Sequence, residues 1–242
     1  MRARFIGALC ALAALCALAA SACFDVRKLD LGPCGPLPID DFEGASSGPS
    51  LPGWEPWNCA AVEAPAGDDG GTAPSCHVEN PGFEGNGAMA LEFALTMAPN
   101  ARDHAQAVLV TSSANATVDI HLYKQFVFAA RLESGASTLP LGTQLKVRLG
   151  CRNAALENPE AGGNPEVEAG VPISDRWTAF PVRLFSFAQP PEQTNHLARG
   201  TPACLTLVDR ISFVVDPRLA SGQSASGKLH VDSVHVQGSC TE

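Results

Sequence analysis

Apolar side chains alternate with polar ones in several separate runs of this chain of 242 residues. In the clearest run, near the C-terminal end, Ile211, Phe213 and Val215 fall on every second position after Leu205 and Leu207. A period of two residues is typical of a strand with one buried face. The chain is therefore predicted to be all-β, with about eight or nine strands. The same period recurs at Met89–Phe93, Phe126–Leu132, Leu145–Leu149 and Phe180–Leu184.

The last two runs are predicted to form the strand pair that closes the structure. Ser221–Gly227 separates them and is rich in turn residues. In the second run Val231 has one parity, whereas Val234 and Val236 have the other. This phase change at Asp232-Ser233 predicts a β-bulge, and bulges often re-aim a side chain toward a site.

Three segments rich in Gly and Pro interrupt the strands and are predicted to be long loops. They are Pro49–Gly85, Arg152–Pro172 and Pro190–Pro202. Loops of this length are uncommon in a compact domain unless they are cross-linked or functional.

The N-terminus has the features of an export signal. A short basic start precedes Phe5–Ala20, an apolar run too short to span a membrane comfortably. Small residues before Cys23 resemble a bacterial lipobox, although Ala20 stands where Leu is usual. We predict a lipoprotein signal over residues 1–22 and a lipid on Cys23. Phe24 stands after the cysteine in place of the Asp that retains lipoproteins in the inner membrane, which favours an outer-membrane or surface anchor. The alternative is ordinary cleavage after Ala22 with release of a soluble protein.

Charge and motifs narrow the function. Removal of residues 1–22 leaves 14 basic and 25 acidic residues, a net charge of −11, which argues against nucleic acid as a partner. The sequence contains no G-x-S-x-G, no H-E-x-x-H and no phosphate-binding glycine loop. A metal or acid–base role for His230 and His235 would require the bulge to bring them together. The chain is predicted not to be an enzyme.

Four segments share a pattern with a known family: Ile39–Gly44, Gly87–Phe93, Trp177–Phe187 and Leu205–Val236. Together they resemble the galactose-binding-domain-like jelly rolls, a group that includes many carbohydrate-binding modules. The resemblance implies a β-sandwich of two antiparallel sheets over residues 39–240, after a tether at residues 23–38. It also implies a non-catalytic module that binds a glycan or cell-envelope polysaccharide. The alternative is a structural or protein-interaction lipoprotein that has no sugar ligand.

The resemblance further implies a structural calcium ion where the first and last strands meet. Glu43 and Asp232 are the expected ligands, with Asp40 and Asp41 nearby. Ca²⁺ binds several oxygen atoms, so converging carboxylates suit it. The alternative is that these carboxylates only face solvent or cap the bulge.

Six cysteines remain after the signal and Cys23, and an even number in an exported chain indicates disulfides. A zinc site is disfavoured because there is no C-x-x-C and the spacings are long. Among the possible pairings we favour Cys59–Cys76 across a local loop and Cys151–Cys204 between neighbouring strands. Since the terminal strands of a jelly roll lie close together, the resemblance adds Cys34–Cys240.

Aromatic residues are the candidates for sugar binding, because sugar rings stack their C–H faces on indole or phenol rings. Trp54 and Trp57 are predicted to form such a platform, unless they pack over the Cys59–Cys76 loop. Trp177 matches a structural aromatic of the resembling family and is expected in the core. The predicted polar partners on the solvent face of a sheet are Lys146, Arg148 and Arg183.

Overall fold

A computed structural model describes most of the chain beyond the predicted tether. The described residues are 35–43, 49–62, 73–83, 85, 87–97, 105–135, 139–152, 165–191, 193, 196–198 and 200–238. The predicted signal, Cys23, Cys34 and Cys240 lie outside them. Within these ranges no helix has the length and apolar character needed to cross a membrane.

Eleven strands make up nearly all of the regular structure in these ranges. They are β1 Leu37–Asp40, β2 Asn58–Val62, β3 Ser75–Glu79, β4 Ala88–Thr96, β5 Gln106–Ser112, β6 Gln125–Ser134, β7 Gln144–Cys151, β8 Glu166–Pro172, β9 Thr178–Arg183, β10 Val208–Asp216 and β11 Ser224–Gln237. A 3₁₀ turn at Leu184–Ser186 and one short helix, α1 at Thr201–Leu205, are the helical elements described.

The strands form two antiparallel sheets, which confirms the predicted jelly-roll β-sandwich. The front sheet has the order β3-β4-β11-β6-β9, and β1 also pairs with β11. The back sheet has the order β2-β5-β10-β7-β8. Because β10 lies between β5 and β7 and β11 lies between β4 and β6, the two final strands do not pair with each other. The predicted closing pair is wrong, and these strands instead contribute one to each sheet.

Two of the segments predicted as loops contain strands. The segment Pro49–Gly85 holds β2 and β3, and Arg152–Pro172 holds β8. In β8 the small apolar side chains Val167, Ala169 and Val171 alternate and are buried. Conversely, Leu205 ends a helical turn, and β10 begins only at Val208. The missed strands are short and are flanked by glycine and proline, so the alternation of apolar residues did not reveal them.

The core lies between the sheets and is organised around Phe213 of β10. Its ring lies 5.0 Å from Phe128 and 6.4 Å from Phe126, both on β6, and 5.8 Å from Trp57. All four residues are at most 5% exposed. Alternation along each strand places such side chains on the inner face and leaves the outer faces for polar groups.

The predicted bulge is present in β11. Asp232 pairs with Ala129, but His235 pairs with Val127, so β11 has an extra residue between them. Ser233 has a φ of 53°, the left-handed conformation common in bulges. The extra residue returns Val234 to the core side, and Asp232 remains on the outer face as the last residue before the shift.

Two of the three predicted disulfides are present in the described residues. Cys59 on β2 and Cys76 on β3 form a bridge that links the back sheet to the front sheet. Cys151 at the end of β7 is bonded to Cys204, which lies in α1 and not on a neighbouring strand. The predicted Cys34–Cys240 bridge stays a prediction.

Candidate functional site

The outer face of the front sheet is polar along its middle strand. Lys228, His230 and Asp232 point outward from β11, because Leu229 and Val231 between them are buried in the core. Register places His230 between Ala90 of β4 and Arg131 of β6. We call this surface the front face.

An aromatic pair lies on the β9 side of the front face. Trp177, immediately before β9, is half-buried, and its ring lies 5.9 Å from that of Phe83. The guanidinium carbon of Arg131 lies 5.2 Å above the Trp177 ring. The ring of His230 lies 6.0 Å from it in an edge orientation. The prediction that Trp177 packs in the core is therefore wrong, since its parity places it outside.

The side chain of His230 is buried beside Trp177 on this face. It is 2% exposed, and its Nε2 atom has no hydrogen-bond partner in the described part of the chain. Burial lowers the pKa of His230, and the nearby positive charge of Arg131 lowers it further. The ring is therefore neutral at neutral pH, with one nitrogen as donor and the other as acceptor.

Ion pairs cover the β3 side of the front face. Lys228 Nζ lies 2.6 Å from Oε1 of Glu79 and 2.6 Å from Oε1 of Glu92. The hydrogen bond from Lys228 lowers the pKa of Glu79, and the bond to Glu79 raises the pKa of Lys228. His77, Glu79 and Glu92 are close enough to hold a metal ion. Because Lys228 forms ion pairs with both carboxylates, this cluster is better described as a charge network.

Beside Lys228 the front face deepens into a hollow of about 480 Å³. Glu92 and Glu133 form opposite sides of it, since both are cross-strand neighbours of Lys228. Ser75 and Ser226 add hydroxyl groups. The hollow extends the polar surface away from Trp177 along the strands.

The two predicted metal ligands contact the same glycine-rich loop. The Gly87 amide donates to Glu43 Oε1 at 3.3 Å, and the Phe83 amide donates to Asp232 Oδ2 at 2.6 Å. A Cβ atom at Gly82 would lie 2.6 Å from Asp232 Oδ2, so only glycine permits this approach. Both carboxylates thus accept hydrogen bonds from amides of one loop, and the calcium site stays a prediction.

Trp57 does not form the predicted platform. It is 5% exposed and contacts Phe42 and Phe213. Its Nε1 donates to Oδ2 of Asp40 at 2.8 Å, and Asp40 is itself buried. The prediction is wrong at this residue because the side chain fills the core. Trp54 is half-buried and packs against the same core from the segment before β2.

The predicted cationic partners lie on separate surfaces. Lys146 and Arg148 are on the outer face of the back sheet, where both contact Glu168 and Lys146 also contacts Asp216. Arg183 ends β9 of the front sheet and lies over the ring of Phe185. The structure therefore does not assemble the predicted set into one site.

Sequence reasoning missed Phe83 and Arg131 and considered His230 only, with His235, for a metal or acid–base role. A signal for two of them was present, because Arg131 and His230 have the opposite parity to the buried Leu132 and Leu229. Parity gives the face of a strand, but not which strands are neighbours. Only the pairing of β6 with β11 brings these side chains together.

Two antiparallel sheets that enclose one core define the architecture of a jelly-roll β-sandwich. No protein-family model matches the chain, and no curated protein matches it. Among solved structures it is similar to a family 11 carbohydrate-binding module from Clostridium thermocellum in complex with a β-1,3-1,4-mixed-linked tetrasaccharide. That match has a TM-score of 0.54 and 17% identity and covers 87% of this chain and 99% of the other.

A second similar structure is the family 11 module of the cellulosomal cellulase Lic26A-Cel5E of Clostridium thermocellum. The TM-score is 0.52 and the identity is 16%, over 87% of this chain and 98% of the other. At this level of identity the likeness establishes the fold. It confirms the jelly-roll architecture that the resemblance of the four segments implied.

Proposed function

We propose that this chain is a non-catalytic envelope lipoprotein whose β-sandwich binds a glycan on the front face. The observation that supports the proposal best is the position of Trp177. Among the described residues, Trp57 lies in the core and Trp54 packs against it, whereas Trp177 does neither. Trp177 lies with Phe83 and Arg131 on the outer face of the front sheet. Carbohydrate sites combine such aromatic rings with a few fixed polar groups.

The chemistry of the front face favours a neutral glycan. Arg131 lies 2.9 Å from Glu133, and Lys228 contacts both Glu79 and Glu92. Carboxylates therefore outnumber cations on this surface, and a polyanion would be repelled. Paired charges remain good partners for hydroxyl groups. The family 11 module in complex with a β-1,3-1,4-mixed-linked tetrasaccharide has the same fold, which supports a glycan as the class of ligand.

A panel of neutral polysaccharides tests this function. We expect the purified protein to be retarded in native gels that contain one soluble neutral polysaccharide, relative to gels without it. Bovine serum albumin serves as the marker that should not be retarded. If the folded protein migrates normally in every neutral polysaccharide, with calcium or with EDTA, the glycan proposal fails.

We also propose that Glu43 and Asp232 hold a structural calcium ion. Calcium bound there would join β11 to the loop before β4 and so stabilise the folded state. At a concentration about 100 times the dissociation constant, a ligand of the folded state adds about 2.7 kcal/mol. We expect calcium to raise the melting temperature of the protein and Asp232→Asn to remove that increment. Asp119→Asn, a change at an exposed carboxylate that contacts His121, should leave the increment intact.

The quantity to compare is the rise in melting temperature that calcium causes in each variant. The melting temperature alone is not enough, because Asp232→Asn also weakens two backbone hydrogen bonds and lowers the melting temperature without calcium. A wild-type protein with equal melting temperatures in calcium and EDTA would refute the calcium site. Retention of the full increment by Asp232→Asn would place the ion elsewhere.

The third part of the proposal is the location of the protein in the cell envelope. The relaxed lipobox before Cys23 supports it, and so do the two disulfides, which form in exported proteins. In a bacterial host fed an alkyne-labelled fatty acid, we expect label on the wild-type chain and none on Cys23→Ser. The wild type should fractionate with the outer membrane. An unlabelled wild-type protein released into the soluble fraction would favour ordinary secretion.

A further inference from the structure

A second pocket lies at the end of the sandwich where β6 begins and β9 ends. Its volume is about 600 Å³, within the range of small-molecule sites. The apolar part of its wall includes Tyr123, Phe185 and Leu205. Phe185 is 78% exposed, although most large apolar side chains of this domain are buried. The polar part includes Lys124 and Arg183. We call this the β9 pocket.

The charge of the β9 pocket differs from that of the rest of the molecule. The described cations on the sheet faces are paired with carboxylates, as in Lys146–Asp216, Arg210–Glu166 and Lys228–Glu79. Lys124 and Arg183 have no carboxylate partner in the described ranges. The acid closest to Lys124 along the chain, Asp119, contacts His121 at 2.6 Å. A chain with a large excess of acidic residues thus places two unneutralised cations in one apolar pocket.

Arg183 is oriented for binding. Its guanidinium carbon lies 5.5 Å from the centre of the Phe185 ring, which holds the planar group by a cation–π contact. No side-chain hydrogen bond from Arg183 occurs in the part of the chain that the structure describes. Stacking leaves the edge of the guanidinium free, and that edge matches a carboxylate in two parallel hydrogen bonds.

We propose that the β9 pocket binds an acidic sugar unit, a uronic acid within a polysaccharide. The carboxylate would bind Arg183 and Lys124, and the apolar ring face would pack on Phe185 or Tyr123. This inference does not depend on glycan binding at the front face, where the excess of carboxylates favours a neutral ligand. The two sites would therefore recognise different sugar units.

The probe is polygalacturonate, compared with the same polymer after methyl esterification, which removes the charge and keeps the ring. We expect native gels to show retardation by the acid form and little by the ester. Arg183→Gln and Lys124→Gln should each weaken binding about tenfold or more, because each removes a charged hydrogen-bonding partner. Phe185→Ala should weaken it as well. Arg218→Gln is the matched control, since Arg218 is an exposed cation that contacts Gln144 away from this pocket.

Three results would overturn the proposal. Equal retardation by polyglutamate, unaffected by Phe185→Ala, would reveal a cationic patch without sugar recognition. Loss of polygalacturonate binding in Trp177→Ala but not in Arg183→Gln would assign the acid to the front face. No retardation of the folded protein by polygalacturonate would exclude the ligand. Retention of polygalacturonate binding by Trp177→Ala supports a separate site, even if the front face binds no neutral glycan.

Discussion

Replacement of Trp177 by alanine should weaken binding of the neutral glycan by about 2 kcal/mol or more, roughly 30-fold, while the fold is retained. The indole ring is the largest aromatic surface on the front face and is half-buried between Phe83 and Arg131. Its removal deletes the stacking surface and frees the Arg131 guanidinium that rests on it. Binding isotherms from native gels at graded polysaccharide concentration give the change directly.

Two variants control this experiment. Trp177→Phe keeps an aromatic ring at the site and should recover part of the lost affinity. Trp54→Ala removes a half-buried indole outside the front face and should bind as the wild type does. If Trp54→Ala abolished binding and Trp177→Ala did not, the platform would lie at Trp54, as the sequence first indicated, and the proposed site would be wrong.

Replacement of Trp57 by alanine should lower the free energy of unfolding by about 3–5 kcal/mol, the usual cost of deleting a large core aromatic. Trp57 fills the space between Phe42 and Phe213, and its Nε1 donates to the buried carboxylate of Asp40. The variant loses both packing and a hydrogen bond to a buried charge. Urea denaturation followed by circular dichroism, with the disulfides kept oxidised, measures the loss.

The milder change Trp57→Phe isolates the hydrogen bond between Trp57 and Asp40, because the loss of stability should depend on pH. Burial raises the pKa of Asp40, and hydrogen bonds from the Phe42 amide and from Trp57 lower it. Loss of the Trp57 donor therefore raises the folded-state pKa of Asp40 further. A raised folded-state pKa costs stability as the pH rises through it, so Trp57→Phe should be more destabilising near pH 7 than near pH 4.

Trp54→Ala is again the matched control, because its loss in free energy of unfolding should be smaller and nearly independent of pH. A Trp57→Phe loss that is equal at both pH values would mean that the bond to Asp40 contributes nothing beyond packing. Neither Trp57 variant should alter glycan affinity while the protein stays folded, since Trp57 does not reach the front face.

The architecture was predictable because its evidence is local. Alternation identified β4, β6, β7 and β10, and the change of parity at Asp232 identified the bulge in β11. The strands that were missed lie among glycine and proline residues, where β2 and β3 depend on pairing with long neighbours and on the Cys59–Cys76 bridge. Local patterns carry little information about strands of this kind.

The site was harder to predict because it depends on which strands are neighbours. Trp57 looked exposed in a loop rich in proline and glycine, but tertiary packing and the buried Asp40 place it in the core. Trp177 looked structural, but it faces outward beside Arg131. Trp177, Phe83 and His230 are far apart in the chain and meet only through the order of the front sheet. Asp232 could be singled out because the bulge marks it in the sequence.

The most direct test of the glycan site is the response of the three tryptophan indole N–H signals in a ¹H–¹⁵N correlation spectrum as a neutral glycan is added. Conservative substitutions assign the signals of Trp54, Trp57 and Trp177. We predict a saturable shift of the Trp177 signal, with the Trp57 signal unchanged in the core. Binding that shifts the Trp54 signal and leaves that of Trp177 in place would contradict the proposed site.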